Sequence, residues 1–176
     1  MADHRLTGVL LVGGASERFG SPKALARLGG RTLAEIGWET LAFCDERIAV
    51  GKVADGLELP FSVLDDGTDV RAPIAGVVAG LRAAGHDVSV VLPVDAPRVS
   101  ADALGTLAEQ CADVAVPQTG PLPGAYRKSA LRALEAALAV GRLSLREAIV
   151  ALEVVEVDID PALLANVNTP DDLARV

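Results

Sequence analysis

Aromatic side chains are scarce in this sequence: three Phe, one Tyr and one Trp among 176 residues. The chain also carries a net charge of −8. It therefore lacks the stacking platforms and the basic surface that nucleic acid demands, and that class of partner is excluded. The two histidines, His4 near the terminus and His86 in a polar turn, make a histidine-based metal site an unpromising expectation. Cys44 and Cys111 lie far apart with no metal-ligand spacing beside them, and read as buried thiols in a reducing cytosol. Hydrophobic residues make up 51% of the chain, much of it alanine, and no apolar run approaches the ~18 residues of a membrane span. The opening residues MADHR carry no signal-peptide hydrophobic region. These absences predict a cytoplasmic protein of one domain over residues 1–176, long enough to bury a proper core.

What is present is an alternation of strands and helices. Residues 6–12 form a short, mostly apolar run of strand length. Residues 32–43 read as a helix opened by Thr32 and Glu35 as a capping box. Short strands are expected at 47–50 and 61–64. Residues 73–85 read as a helix despite Gly76 and Gly80. Each internal glycine costs up to ~1 kcal/mol against alanine, which implies close packing on a sheet. Residues 88–94 are the most strand-like segment, apolar apart from Ser89 and Pro93, as suits a central parallel strand. A helix at 100–111, a strand at 113–117, helices at 129–140 and from Ser144 onward, and a strand at 153–157 complete the pattern. The alternation predicts an α/β fold with a mainly parallel central sheet, helices on both faces, and ligands at the carboxyl ends of strands.

Four stretches carry the chemistry. The first runs from the opening strand into Gly13, Gly14, Arg18, Gly20 and Lys23. Glycines let backbone N–H groups approach an anion and the two cations neutralise it, so the loop suits phosphates. It matches neither G-x-G-x-x-G nor a P-loop, and a tight turn with solvated charges stands as the plain alternative. An acidic chain binds a triphosphate only with such a local cationic loop and a divalent cation to offset the surrounding field.

The second stretch places Asp95 directly after the best strand, between Pro93 and Pro97. A loop acid or helix cap is the plain alternative, but the following helix already has Ser100 as its cap. The third, residues 65–76, is a polar turn leading into a helix started by Pro73. Its Asp65 and Asp66 are expected to face solvent. The fourth lies in two C-terminal pieces. Residues 120–127 end in Tyr126 and Arg127, and read equally as a Pro/Gly hairpin with Tyr126 in the core. In residues 166–173, Thr169, Pro170 and Asp172 are explained as a helix start. Asn166 and Asn168 are not; two amides two residues apart point the same way on an extended segment and suit a polar heterocycle.

Leu11 to Lys23, read as L-x-G-G-x-S-x-R-F-G-x-x-K, resembles the signature loop of the small nucleotidyltransferases that build molybdenum cofactor dinucleotides, and most closely that of the molybdenum cofactor guanylyltransferase family. The strand-end Asp95, the turn before Pro73 and the N-V-N-T-P-x-D-L motif at 166–173 resemble the same family in the same order. The resemblance implies a three-layer Rossmann-like nucleotidyltransferase domain that moves GMP from GTP to the phosphate of molybdopterin. It implies that Leu11, Val12, Gly13, Gly14, Lys23, Asp69 and Asp95 meet the nucleotide, with Arg18, Lys23 and Asp95 catalytic and Asp95 holding Mg²⁺. It also implies that Asn166, Asn168 and Tyr126 meet the acceptor, and that a molybdoenzyme or a cofactor-delivery protein receives the product. Ala72 departs from the family's glycine, which affects the shape of the turn around Asp69. Gly13-Gly14 favours a guanylyl over a cytidylyl transferase. The alternatives are a cytidylyl relative or another small nucleotidyltransferase acting on a different phosphorylated acceptor, and a catalytically silent protein that binds nucleotide or cofactor and delivers it to a partner enzyme; retention of both Lys23 and Asp95 speaks against silence.

Overall fold

A computed structural model describes residues 5–13 and 22–175. Nine strands appear among them: β1 Leu6–Leu11, β2 Arg27–Leu28, β3 Arg31–Thr32, β4 Glu46–Gly51, β5 Val63–Asp65, β6 Val88–Pro93, β7 Val114–Pro117, β8 Gly124–Arg127 and β9 Val154–Val157. Six α-helices accompany them: α1 Leu33–Thr40, α2 Pro73–Ala83, α3 Ala101–Glu109, α4 Leu131–Ala139, α5 Leu145–Ala148 and α6 Pro170–Ala174. β2 and β3 form a small ribbon of their own. The other seven build one sheet in the order β5-β4-β1-β6-β8-β7-β9. Its pairs are parallel except those that β8 makes with β6 and β7. The mainly parallel α/β architecture expected from the alternation is the one observed.

Alternation along β1 divides the interior. Leu10 and Val12 pack on one face with Leu33 and Ala34 of α1 and Leu104 and Leu107 of α3. Val9 and Leu11 pack on the other with Ile74, Val77 and Leu81 of α2 and Leu134 of α4. The two glycines inside α2 have the packing role that their helix cost implied. A Cβ at Gly76 would lie 2.9 Å from Leu11 Cδ2, and one at Gly80 would lie 2.5 Å from Val9 Cγ1. The helix therefore lies directly on β1, closer than any larger residue permits.

Local capping chemistry sets the helix starts. Thr32 and Glu35 form the reciprocal capping box at α1, and Thr169 and Asp172 form another at α6. Ser100 and Ser144 cap α3 and α5 through their hydroxyls. The expected helix at 129–140 begins with a 3-10 turn, Lys128–Ala130, before α4. The expected strand at 61–64 shifts to β5, Val63–Asp65. Among the described residues no helix is long and apolar enough to cross a membrane.

At the opposite edge from the strand carboxyl ends, Glu46 ties three strands together. Its Oε2 accepts from Thr7 Oγ1 on β1 and from the Gly85 N–H just before β6, each at 2.7 Å. These donors, the Gly85 amide first, hold the Glu46 carboxyl below its ordinary 4.5. A carboxyl depressed in the folded state stabilises it above the unfolded pKa, and that contribution is lost as pH falls through the folded pKa. Glu46→Gln is therefore expected to lower stability by about 1 kcal/mol at neutral pH, allowing for partial exposure. The gap from the parent protein should close as pH falls well below 4.5. Urea melts across that range check it; a loss that persists undiminished in acid would put the effect in packing instead.

Candidate functional site

A cleft opens along the carboxyl ends of β5, β4, β1 and β6. Val12 and Gly13 from the end of β1, Gly51 and Lys52 from β4, Asp66 from β5, and Val94 and Asp95 from β6 all line it. The parallel register brings these segments to one level. Val12 N–H donates to Val50 O and Val94 N–H donates to Leu11 O, extending the sheet one residue past each strand end.

At the β6 end, three stretches far apart in sequence meet. Lys23, which opens a 3-10 turn behind Pro22, donates from Nζ to Asn168 Oδ1 at 2.9 Å and lies 3.4 Å from Asp95 Oδ2. The side chains of Lys23 and Asp95 retain 20% and 26% exposure, so both are open to a ligand. The C-terminal segment is held there by the Val167 N–H, which donates to the Asp95 carbonyl at 2.7 Å. Asp172 then takes the N–H groups of Asn168 and Thr169. These bonds, the Asn168 amide first, hold its carboxyl below the ordinary carboxylate value. Val167 is fully buried, while Asn166 and Asn168 on either side are exposed.

The structure separates the other expected site residues. Leu11, Val12 and Gly13 line the cleft. Gly14 and Arg18 lie outside the described residues. Asp69 is exposed and is not among the lining residues; Val70, Arg71 and Ala72 of the same turn are. Tyr126 needs correction. It is fully buried, and its hydroxyl donates to the Pro121 carbonyl at 2.6 Å. The stretch 120–127 takes the hairpin alternative, β7 pairing antiparallel with β8, and the ring belongs to the core rather than to an acceptor.

Asp66 needs correction too. Asp65 is exposed as expected and accepts from the N–H groups of Val53 and Gly67. Asp66 is not: its side chain is 7% exposed and pairs at 2.6 Å with Lys52, itself 11% exposed. Lys52 lies immediately after β4, and the rule that singled out Asp95 after β6 applies to it equally. Arg71 also lines the cleft and pairs with Asp55 at 2.8 Å. Both cysteines are buried and free. Burial pushes the Cys44 thiol up to about 12 and the Cys111 thiol up to about 11, so neither is reactive at neutral pH.

The cation fit rests on the donor set. Among the described residues no three His, Cys, Asp or Glu side chains gather into a metal cluster. Among the described residues the carboxylates lining the cleft are Asp66 and Asp95, and Lys52 pairs with Asp66 Oδ1. Of these two Asp95 is the more exposed, an arrangement that suits a hard cation drawing its remaining ligands from a polyphosphate and water.

Known proteins share this architecture. Residues 8–155 match the family model described as MobA-like NTP transferase domain. The molybdenum cofactor guanylyltransferase of Desulfosudis oleivorans is 30% identical, over 97% of this chain and 93% of its own. A probable molybdenum cofactor guanylyltransferase of Deinococcus radiodurans is 34% identical over the same shares. The crystal structure of molybdopterin-guanine dinucleotide biosynthesis protein A from Archaeoglobus fulgidus superimposes with a TM-score of 0.83 at 28% identity, covering 96% of this chain and 95% of that one. With relatives matched along nearly their whole length and the family model spanning most of the sheet, the chain belongs to the MobA-like NTP transferase family.

Proposed function

We propose that this chain transfers GMP from GTP to the phosphate of molybdopterin, releasing pyrophosphate. The observation that carries the reading is the meeting of Lys23, Asp95 and Asn168 at one end of the cleft. It joins a residue of the nucleotide loop, a metal-competent carboxylate and a residue of the C-terminal motif within hydrogen-bond reach. Relatives matched along nearly the whole chain carry the guanylyltransferase name.

An oxygen of the acceptor phosphate attacks the α-phosphorus of GTP, the bond to the bridging oxygen of the β-phosphate breaks, and pyrophosphate leaves with the electron pair. The acceptor is already ionised near neutral pH, so no side chain need take its proton. The work of the protein is positioning and charge neutralisation. Lys23 exchanges its loose contact with Asp95 for the phosphates, and Arg18 of the same loop assists. Asp95 holds Mg²⁺, which supplies charge neutralisation on the triphosphate when bound. Asn168 and Asn166 orient the acceptor beside Lys23. The two free, protonated thiols fit a reducing cytoplasm.

The guanine choice is supported at Gly13. It is not among the glycines with positive φ, and a Cβ there would rest 3.5 Å from Gly51 Cα, an ordinary contact. Neither the backbone nor the packing demands glycine, so what its missing side chain leaves open is the cleft. Gly13→Ala should fold normally and bind GTP more weakly.

Two measurements test the reading. Asp95→Asn, which keeps size and removes charge, is expected to abolish pyrophosphate release while circular dichroism stays unchanged; an unfolded variant would make Asp95 structural. Thermal shifts with Mg²⁺ and equal GTP, CTP and ATP should be largest for GTP and should shrink in Gly13→Ala. A larger shift and faster turnover with CTP would replace the guanylyl assignment, and binding without turnover would mark a silent carrier.

A further inference from the structure

Asp95 stands on a turn, just past the end of its strand. The sheet ends beside it with the Val94 N–H on the Leu11 carbonyl at 3.0 Å. The turn that follows is closed by two longer bonds, Ala96 N–H to the Pro93 carbonyl at 3.2 Å and Val99 N–H to the Ala96 carbonyl at 3.3 Å. A shorter bond reaches this turn from the far end of the chain: the Asp95 carbonyl accepts from the Val167 N–H at 2.7 Å. Apolar packing fixes both sides of that bond. Val94 and Ala96, which flank Asp95, are buried in the same cluster as Val167, whose side chain is fully enclosed. The bond therefore joins two anchored points, and a shift of the Asp95 backbone would have to drag Val167 through packed core.

The rest of the C-terminal segment is built as a holder. α6 is five residues long and buries none of them, and a helix so short does not sustain itself in water. It stands on its caps. Thr169 and Asp172 bond reciprocally across its first turn, and Asp172 Oδ2 also takes the Asn168 N–H at 3.0 Å. Leu173 adds a half-buried contact to the apolar cluster that holds Val167. The segment thus adds little packing of its own. What it fixes is Val167 against the Asp95 turn and Asn168 against the Lys23 ammonium.

We infer that Val167 is a positioning residue for Asp95, through which the C-terminal segment sets how strongly that carboxylate holds its cation. The inference rests on the reading of Asp95 as the Mg²⁺ ligand above. The two groups that would meet the triphosphate differ in tolerance. Lys23 is a point charge on a flexible stem and can follow a phosphate that moves. Mg²⁺ demands a near-ideal octahedron of oxygens at about 2.0–2.1 Å, and a carboxylate displaced by about 0.5 Å serves it poorly. A loosened Val167 therefore weakens the response to Mg²⁺ and leaves the metal-free grip on the nucleotide alone. Asn166 and Asn168, exposed on either side, keep the acceptor role proposed for them. One short motif then carries two tasks, divided by which side chains are buried.

Calorimetric titration with GTP, once with Mg²⁺ and once in EDTA, separates the two grips. Val167→Ala keeps the N–H and removes the side chain that anchors it. In EDTA its affinity for GTP is expected within about twofold of the parent protein, while the gain in affinity on adding Mg²⁺ falls about tenfold. The Mg²⁺ concentration for half-maximal pyrophosphate release should rise in step. Val167→Ile, which keeps a branched apolar anchor, should restore most of the gain, and Leu107→Val, which loosens the same cluster from α3, should leave it unchanged. Equal losses with and without Mg²⁺, no loss in either, or a comparable fall in Leu107→Val overturns the inference. If Val167→Ala does not fold, Asp172→Ala decides by the same titration: the Mg²⁺ gain is expected to fall, and an unchanged gain overturns the inference. Asp95→Asn tells the failures apart. If it keeps the Mg²⁺ gain, the reading of Asp95 as the metal ligand fails and takes this inference with it; if it loses the gain and Val167→Ala does not, this inference alone is refuted.

Discussion

β1 is hydrogen-bonded in parallel to β4 on one side and to β6 on the other, with Val9 set between Ile48 and Val91. This pairing places the carboxyl ends of four strands in line, because β5 joins β4 in the same direction. Parallel strands must be joined by crossovers; α1 lies in the one from β1 to β4 and α2 in the one from β5 to β6, on opposite faces, while β4 reaches β5 through a loop with a single 3-10 turn, Val53–Asp55. The close seating of α2 follows from the same strand, since Gly76 and Gly80 admit Leu11 and Val9 where any larger residue would push the helix away. The cleft is thus a consequence of the sheet's direction, and its residues are those that happen to follow each strand.

Charge sets the second constraint. A chain with net charge −8 repels a triphosphate at long range, so attraction must come from cations held locally where water is partly excluded. Lys23 meets that condition because two segments from the far end of the chain converge on it: Asp95 and Asn168 fix its ammonium at the mouth of the cleft. The C-terminal motif therefore meets the Lys23 end of the cleft. Its anchor is the Val167 N–H on the Asp95 carbonyl.

Features decided by local chemistry were legible in the sequence. The capping residues Thr32, Ser100, Ser144 and Thr169 act on amides two or three residues away, and each helix begins where its cap predicts. The apolar run of β6 announced a strand buried on both faces. What the sequence hid depends on distant partners. Nothing near residues 124–127 marks β8 as the strand that runs against its neighbours, because its direction follows from the hairpin with β7 and the place left beside β6. Asp66 reads as a solvated acid in a D-D-G turn; only the pairing of β4 with β5 brings Lys52 to it from 14 residues earlier. Tyr126 lay in a stretch that fitted either a core hairpin or an acceptor loop, and the burial of its ring decides for the core.

The two lysines of the cleft are held so differently that one type of role does not suit both. Lys52 is nearly dehydrated and paired at 2.6 Å with an equally buried carboxylate, so the pair as a whole carries no net charge and attracts a polyanion weakly. Its contacts are local: the Lys52 ammonium donates to Asp66 and to both the carbonyl and the hydroxyl of Thr68. Lys23 is more exposed, and its carboxylate partner stands at 3.4 Å, near the limit of a hydrogen bond. Under the proposed function such a contact would be exchanged for a phosphate oxygen, which would free the carboxylate for a cation.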